Sequence, residues 1–289
     1  MDESEDPAVQ ARRLRSVLRT ARSQAGLTQK EVAVALDWSV SKFVRIENGE
    51  TGISTNDLKA LLSHYGVTDE TEVDALVKLA RMSRRQLLTP YRDILPRSFI
   101  NYLGLEATAS VLRTYESSVI PGLLQTEEYA TAVICGARGL PAPDSAAERM
   151  VQVRLERQES LDRLERKFSF IIDEAALHRR VGRSRRLMRR QFDRLRTVAE
   201  RPNVTLRIVP FNVGEYIGMG TPFVYLEFPG PGDDDLVHLE NSHGGSVIRD
   251  SLDDTRRLLE IFLMLEDVAA PADQLGAFLE QTWAGMTDV

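Results

Sequence analysis

The 289-residue sequence holds one cysteine, Cys135, and only four histidines. A single thiol excludes an intramolecular disulfide and fits a reducing, cytoplasmic setting. So few soft ligands leave little for a zinc cluster, and neither a metal nor a cofactor is expected. Long apolar runs are absent too, none approaching the ~20 residues of a membrane helix. The chain opens on acids and Pro7, unlike a secretory signal. Lysine is scarce, 5 against 32 arginines. That skew fits a GC-rich coding genome and weakens any single arginine as evidence of phosphate contact. A net charge of −6 argues against a protein that coats nucleic acid.

Catalytic signatures are missing as well. There is no G-x-S-x-G elbow, no phosphate loop with G-K-[ST] and no G-x-G-x-x-G after a strand. Gly214–Gly220 is glycine-rich but precedes a strand instead of joining a strand to a helix. His238 and His243 flank Glu240, yet five residues apart on a strand they point to opposite faces. Cys135 has no histidine nearby in sequence and reads as a buried, inert thiol. The expectation is a protein that is not an enzyme.

What is present is a globular balance, 43% hydrophobic and 28% charged, in a chain long enough for two domains. Charge is unevenly spread: residues 8–65 carry +4 and the rest sums to −10. A small basic module joined to an acidic body is a pattern of DNA readers with a separate regulatory part.

Helical punctuation runs from Ala8 to about Arg85. Val9, Leu14, Val17, Leu18 and Ala21 mark an amphipathic helix that Gly26 stops. Thr28 and Glu31 form a T-x-x-E capping box for a helix through Leu36. Asp37-Trp38 make a turn, and Ser39 caps a helix through Glu47 that ends at Asn48-Gly49. A fourth helix starts at Ser54 or Thr55, and a fifth begins at Asp69. The expected first domain is therefore all-α with five helices, over residues 8–85, followed by a linker over 86–96.

Residues 97–289 read as α+β, with helices expected at 105–117, 126–136, 145–166, 185–200, 251–267 and 271–284. Strand patterns cover 168–173, 204–209, 222–228 and 236–240, giving a small sheet of about four strands. Pro229–Asp235 reads as a hairpin loop between two of them.

Leu27–Gly49 carries the chemistry. A helix-turn-helix needs a small residue where its helices cross, here Ala33, and apolar pins, here Val32, Leu36, Phe43 and Ile46. At 100° per residue Val40, Ser41, Val44 and Arg45 share the opposite face, with Lys42 at its edge. Those five residues are what a major groove would meet.

The segment resembles the Cro/phage-repressor (XRE-type) helix-turn-helix family over roughly residues 10–80, through G-L-T-Q at Gly26–Gln29, Ala33 and R-I-E-N-G at Arg45–Gly49. The resemblance implies a lambda-repressor-like fold. It assigns phosphate contacts to Gln29 and Asn48, with Thr28, Ser54 and Thr55 at the adjoining helix starts. It places Ser41 and Arg45 on base-reading positions, and Arg22 and Glu47 where the family has an ion pair tying the first helix to the third. The family commonly has Gly where this chain has Asp37, a residue that tolerates a left-handed turn.

Further along, Tyr115-Glu116, Ile120–Thr126, Tyr129-Ala130, Arg157-Gln158 and Phe170–Leu177 are similar to the actinobacterial regulators that join an XRE-type domain to a conserved C-terminal domain. That resemblance implies an antitoxin-like regulator with a small protein partner encoded nearby. Residues 179–196 hold nine arginines and one acid, Asp193. They form either a solvated helix face or a docking surface, with Arg185, Arg186, Arg189 and Arg190 as its candidates.

The sequence thus leads to a cytoplasmic, nucleoid-associated DNA-binding regulator, a repressor acting as a homodimer on a pseudo-palindrome of double-stranded DNA. Its C-terminal domain would dimerise it and receive a small protein. The alternatives are control by a small molecule held in a C-terminal pocket, and a DNA-tethered enzyme.

Overall fold

The computed structural model describes residues 7–47, 51–85, 91–229, 235–240, 246–249 and 251–286. The chain divides into two compact units, residues 1–108 and residues 109–229 with 235–289.

The first unit has helices α1 (Pro7–Gln24), α2 (Gln29–Ala35), α3 (Val40–Glu47), α4 (Thr55–His64), α5 (Glu70–Arg85) and α6 (Arg97–Thr108). Each boundary has a local cause. Gly26 takes φ +69° beyond the end of α1, and Gly66 takes φ +78° beyond α4. Thr28 caps α2 with the reciprocal Glu31 bond. Asp37 adopts φ 55° in the turn between α2 and α3, as a residue with a short polar side chain can. The helices close over Leu14, Leu18, Val32, Ala33, Phe43, Ile46, Leu58, Leu61, Leu62, Leu76 and Val77, all buried. Five helices were expected, but α6 belongs to this unit as a sixth.

The second unit is α+β. Its strands are β1 (Val111–Glu116), β2 (Lys167–Asp173), β3 (Val204–Val209), β4 (Phe223–Glu227), β5 (Leu236–Glu240) and β6 (Ser246–Arg249). They form one sheet in the order β3-β2-β1-β4-β5-β6. β1 and β2 pair in parallel, as do β2 and β3, while β1–β4, β4–β5 and β5–β6 are antiparallel. Around the sheet stand α7 (Glu127–Arg138), α8 (Ser145–Gln158), α9 (Glu174–His178), α10 (Arg185–Ala199), α11 (Leu252–Val268) and α12 (Leu275–Gly285). On one sheet face Tyr115, Ile171, Phe223, Tyr225 and Val237 pack against Phe262 and Leu265 of α11.

Three expectations are corrected here. Among the described residues the sheet has six strands and not about four. The helix expected at 105–117 ends at Thr108, and Val111–Glu116 is a central strand flanked by β2 and β4. Its β-branched and aromatic residues suit a pleated surface, and its hydrogen-bond partners lie far away in sequence. The helix expected at 145–166 stops at Gln158, followed by a 3₁₀ turn over Glu159–Asp162. The hairpin tip 230–234 lies outside the described residues, as does His243; the strands flanking that tip, β4 and β5, do pair antiparallel.

The segment Ile120–Thr126 is held by a buried polar network. Gln125 Nε2 donates to the Ile120 carbonyl at 2.7 Å, and Gln191 Nε2 to the Leu124 carbonyl at 2.8 Å. Gln158 Nε2 donates to the Gly122 and Gln125 carbonyls at 3.1 and 2.7 Å. Leu123 and Leu124 are buried, and Thr126 caps α7 by accepting from the Tyr129 amide. Cys135 lies buried on α7 in a small cluster with Ala130, Ile134, Ala147 and Val151.

Candidate nucleic-acid interface

The site begins with how α3 is anchored. Phe43 is fully buried, Ile46 is 5% exposed and Glu47 is 2% exposed, so one side of α3 faces the core. The Trp38 amide donates to the Ala33 carbonyl at 2.8 Å across the turn, and Ser39 Oγ accepts from the Lys42 amide at 3.1 Å. These bonds set where α3 starts and in which direction it leaves.

Glu47, at the last residue of α3, is a hub. Arg22 of α1 donates to it from Nε at 2.8 Å and from Nη2 at 3.2 Å. Gln29 Nε2, at the first residue of α2, donates to the same carboxylate at 2.7 Å. Arg19 Nη2 donates to the Glu47 carbonyl at 2.7 Å, and Arg22 Nη1 to the Leu27 carbonyl at 2.9 Å. Three helices are thereby tied at one buried carboxylate. A paired and fully hydrogen-bonded charge is how such burial is tolerated.

The opposite side of α3 is open. Val40 is 44% exposed, Ser41 and Arg45 are exposed, and Val44 is half-buried. Arg45 Nε donates to the Ser41 carbonyl one turn back at 3.2 Å, which lays the guanidinium along the outer face. Lys42 turns away from that face. Its Nζ lies 3.3 Å from Asp57 of α4 and 4.1 Å from the centre of the Trp38 ring. The outward group is therefore Val40, Ser41, Val44 and Arg45, with Lys42 tethered at the margin.

Of the residues assigned to phosphate, Thr28 and Ser54 act as helix caps. Thr28 Oγ1 accepts from the Glu31 amide at 3.3 Å, and the Thr28 amide donates to Glu31 Oε2 at 2.8 Å. The bonds from Thr28 hold the Glu31 carboxyl below its ordinary pKa, the backbone bond first. Ser54 Oγ accepts from the Asp57 amide at 3.0 Å, next to Thr55, the first residue of α4. Gln29 has one amide hydrogen on Glu47. Asn48 lies outside the described residues. Arg19 and Asp57 were not anticipated, and Trp38 was expected only as part of the turn. Arg19 sits three residues before Arg22 on the same side of α1, which is the one sequence signal that could have found it.

The arginines of the rich stretch are exposed or half-buried, and several are engaged with other helices of their own unit. Arg185 and Arg189 of α10 stack over Trp283 of α12, at 4.4 and 5.4 Å from the ring centre. Arg190 pairs with Glu128 of α7, and Arg196 with Asp193 and Glu280. Arg186 is exposed and has no ion-pair partner among the described residues. Three of the four docking candidates thus hold helices of their own unit together.

Among the described residues no helix is long and apolar enough to cross a membrane. No curated protein and no solved structure matches the chain. Two family models do. Residues 13–76 match a helix-turn-helix domain, the span that contains α2, the Asp37 turn and α3. The first unit is thus a helix-turn-helix domain, a module of DNA-binding regulators. Residues 99–281 match a second model, and by the extent of that match the chain belongs to the family described as Domain of unknown function (DUF5753).

Proposed function

We propose that the protein is a sequence-specific transcriptional repressor that reads a pseudo-palindromic operator as a homodimer, with α3 in the major groove. One observation carries this reading: α3 presents Val40, Ser41, Val44 and Arg45 outward while Phe43, Ile46 and Glu47 fix it to the core. An arginine on that face is suited to the O6 and N7 acceptors of guanine, and Ser41 to a neighbouring base edge or phosphate. Gln29, with its second amide hydrogen, is suited to a phosphate oxygen beside the groove. A single helix reads too few base pairs for useful specificity, which favours two copies on a twofold axis.

The resemblance to antitoxin-like actinobacterial regulators supports a second unit that receives a small protein and alters operator binding. The role has no catalytic step. Selection of bound sequences from a random duplex pool tests the DNA reading. The expected product is an inverted repeat with half-site centres about 34–36 Å apart or a multiple of that spacing. Failure to enrich any sequence would overturn it. Repeating the selection with the small protein encoded beside this chain tests control, and an unchanged operator affinity would remove that part.

A further inference from the structure

One lysine on the edge of the outward face of α3 is held by a carboxylate from the next helix. At 100° per residue Lys42 falls about midway between exposed Arg45 and buried Ile46, on the rim of that face. Its Nζ lies 3.3 Å from Asp57 Oδ2, and the two side chains keep 38% and 31% exposure. The same ammonium stands 4.1 Å from the centre of the Trp38 ring. Neither Lys42 nor Asp57 has a second ion-pair partner among the described residues. Asp57 is itself fixed in place, because its amide donates to Ser54 Oγ at 3.0 Å in the first turn of α4.

The rim is where a duplex brings its backbone. A helix seated in a major groove has base edges before its outward face and phosphates along its margins. On the margin toward α4 stand Lys42, the helix start at Ser54 and Thr55, and exposed Asn56. Each of these suits an anionic oxygen. Asp57 is the exception, an acid where a phosphate approaches. Lys42 neutralises it in the free protein, so the lysine is already engaged before DNA arrives. The hold is weak. An ion pair this exposed contributes little, and the flexible four-carbon stem lets the ammonium swing away. A phosphate that draws Lys42 off leaves Asp57 bare beside the backbone, which offsets part of the new contact. Carboxylate and phosphate thus compete for one ammonium.

We infer that Lys42 is a phosphate contact and not a base reader, and that Asp57 acts as a brake on it, lowering affinity for duplex of every sequence. The inference rests on the DNA reading above and deepens it, by locating a control on the sequence-independent part of binding.

The test measures binding of the full chain to its selected operator and to an unrelated duplex, over a series of salt concentrations. Asp57→Asn keeps the shape of the side chain and removes its charge. It should strengthen binding to both duplexes about three- to tenfold at low salt. It should also steepen the slope of log affinity against log salt by up to about 0.9, the value for one phosphate. Lys42→Met should weaken binding to both duplexes alike and leave the preferred bases unchanged. Once Lys42 is methionine, Asp57→Asn should bring a smaller gain and no steeper slope. Circular dichroism checks that each variant stays folded. A parent chain that binds no duplex at low salt defeats the DNA reading, and this inference with it. A parent that binds, with Asp57→Asn indifferent in affinity and slope, overturns the inference alone. So does an equal gain with and without Lys42, or a Lys42→Met variant that alters base preference.

Discussion

Arg22 of α1 grips Glu47 of α3 through two of its guanidinium nitrogens, and the carboxylate it grips is almost wholly out of water. Helix α3 is thereby positioned from its buried side by a charge pair. Removing only the arginine should be costly, because Glu47 would stay buried with Gln29 as its remaining side-chain donor. Arg22→Met should destabilise the first unit by about 3 kcal/mol, the low end for a broken buried pair because the Arg22 side chain keeps 20% exposure. The double variant Arg22→Met/Glu47→Leu should recover much of that loss. Urea titration followed by Trp38 fluorescence measures both, and a double variant no more stable than the single would show that the carboxylate is not the strained group.

Arg45 and Gln29 should fail in different ways on DNA. Arg45→Ala should cost roughly 1–3 kcal/mol on the preferred operator and flatten discrimination at one position of each half-site. Gln29→Ala should weaken binding to all sequences alike. Because Gln29 also donates to Glu47, that variant should in addition lose about 1 kcal/mol of stability, which Arg45→Ala should not. Mobility-shift competition against point-substituted operators, paired with unfolding curves, separates the two. Identical profiles would reject the assignment.

The helix-turn-helix was legible because local devices bound it. Thr28 with Glu31, Ser39, Asp37 at φ 55° and Gly26 at φ +69° each act on their immediate neighbours, and their chemistry is written in the residue type. Strand β1 was not legible. Val111–Glu116 is a short stretch of mixed apolar and polar residues whose partners begin at Lys167 and Phe223, so its conformation depends on contacts distant in sequence. The four-residue β6 escaped for the same reason. The site divides likewise. The outward position of Ser41 and Arg45 follows from helical geometry, whereas the turn of Lys42 toward Trp38 and Asp57 depends on where the next helix, α4, comes to lie. Arg185 and Arg189 read as part of either a solvated face or a docking surface, and their stacking on Trp283, far along the chain, was not visible in the local pattern.

Alkaline pH should unfold the protein through its tyrosines. Burial raises Tyr65, Tyr115, Tyr129, Tyr216 and Tyr225 above the ordinary phenol value, Tyr129 to about 12. Tyr216 is also held protonated by donating to Asp173 while its hydroxyl pairs with that of Tyr115, and Tyr225 by donating to Asp235 at 2.6 Å. The folded state therefore favours the neutral phenols. Their contribution is complete below the unfolded value near 10 and is lost as pH rises through the folded values. Tyrosinate absorbance should show these five ionising only well above 10 and together with loss of ellipticity. All seven tyrosines titrating near 10 with the fold intact would contradict this.

Gly218 and Gly220 offer a matched pair in the loop beside α11. Both are left-handed, at φ +82° and +80°, so alanine at either should incur about 1–2 kcal/mol of backbone strain. Only Gly218 is also crowded. A Cβ there would sit 2.8 Å from Ile261 Cγ2, while nothing lies within 4 Å of one at Gly220. Ile261 cannot retreat easily, because its neighbours Phe262 and Leu265 are fixed in the sheet core. Gly218→Ala should therefore lose a further ~1–3 kcal/mol through overpacking and loosen the amides of α11 in hydrogen exchange. Gly220→Ala should leave those amides protected. Equal losses at the two positions, with α11 equally protected in both, would mean that the loop is not seated on the helix.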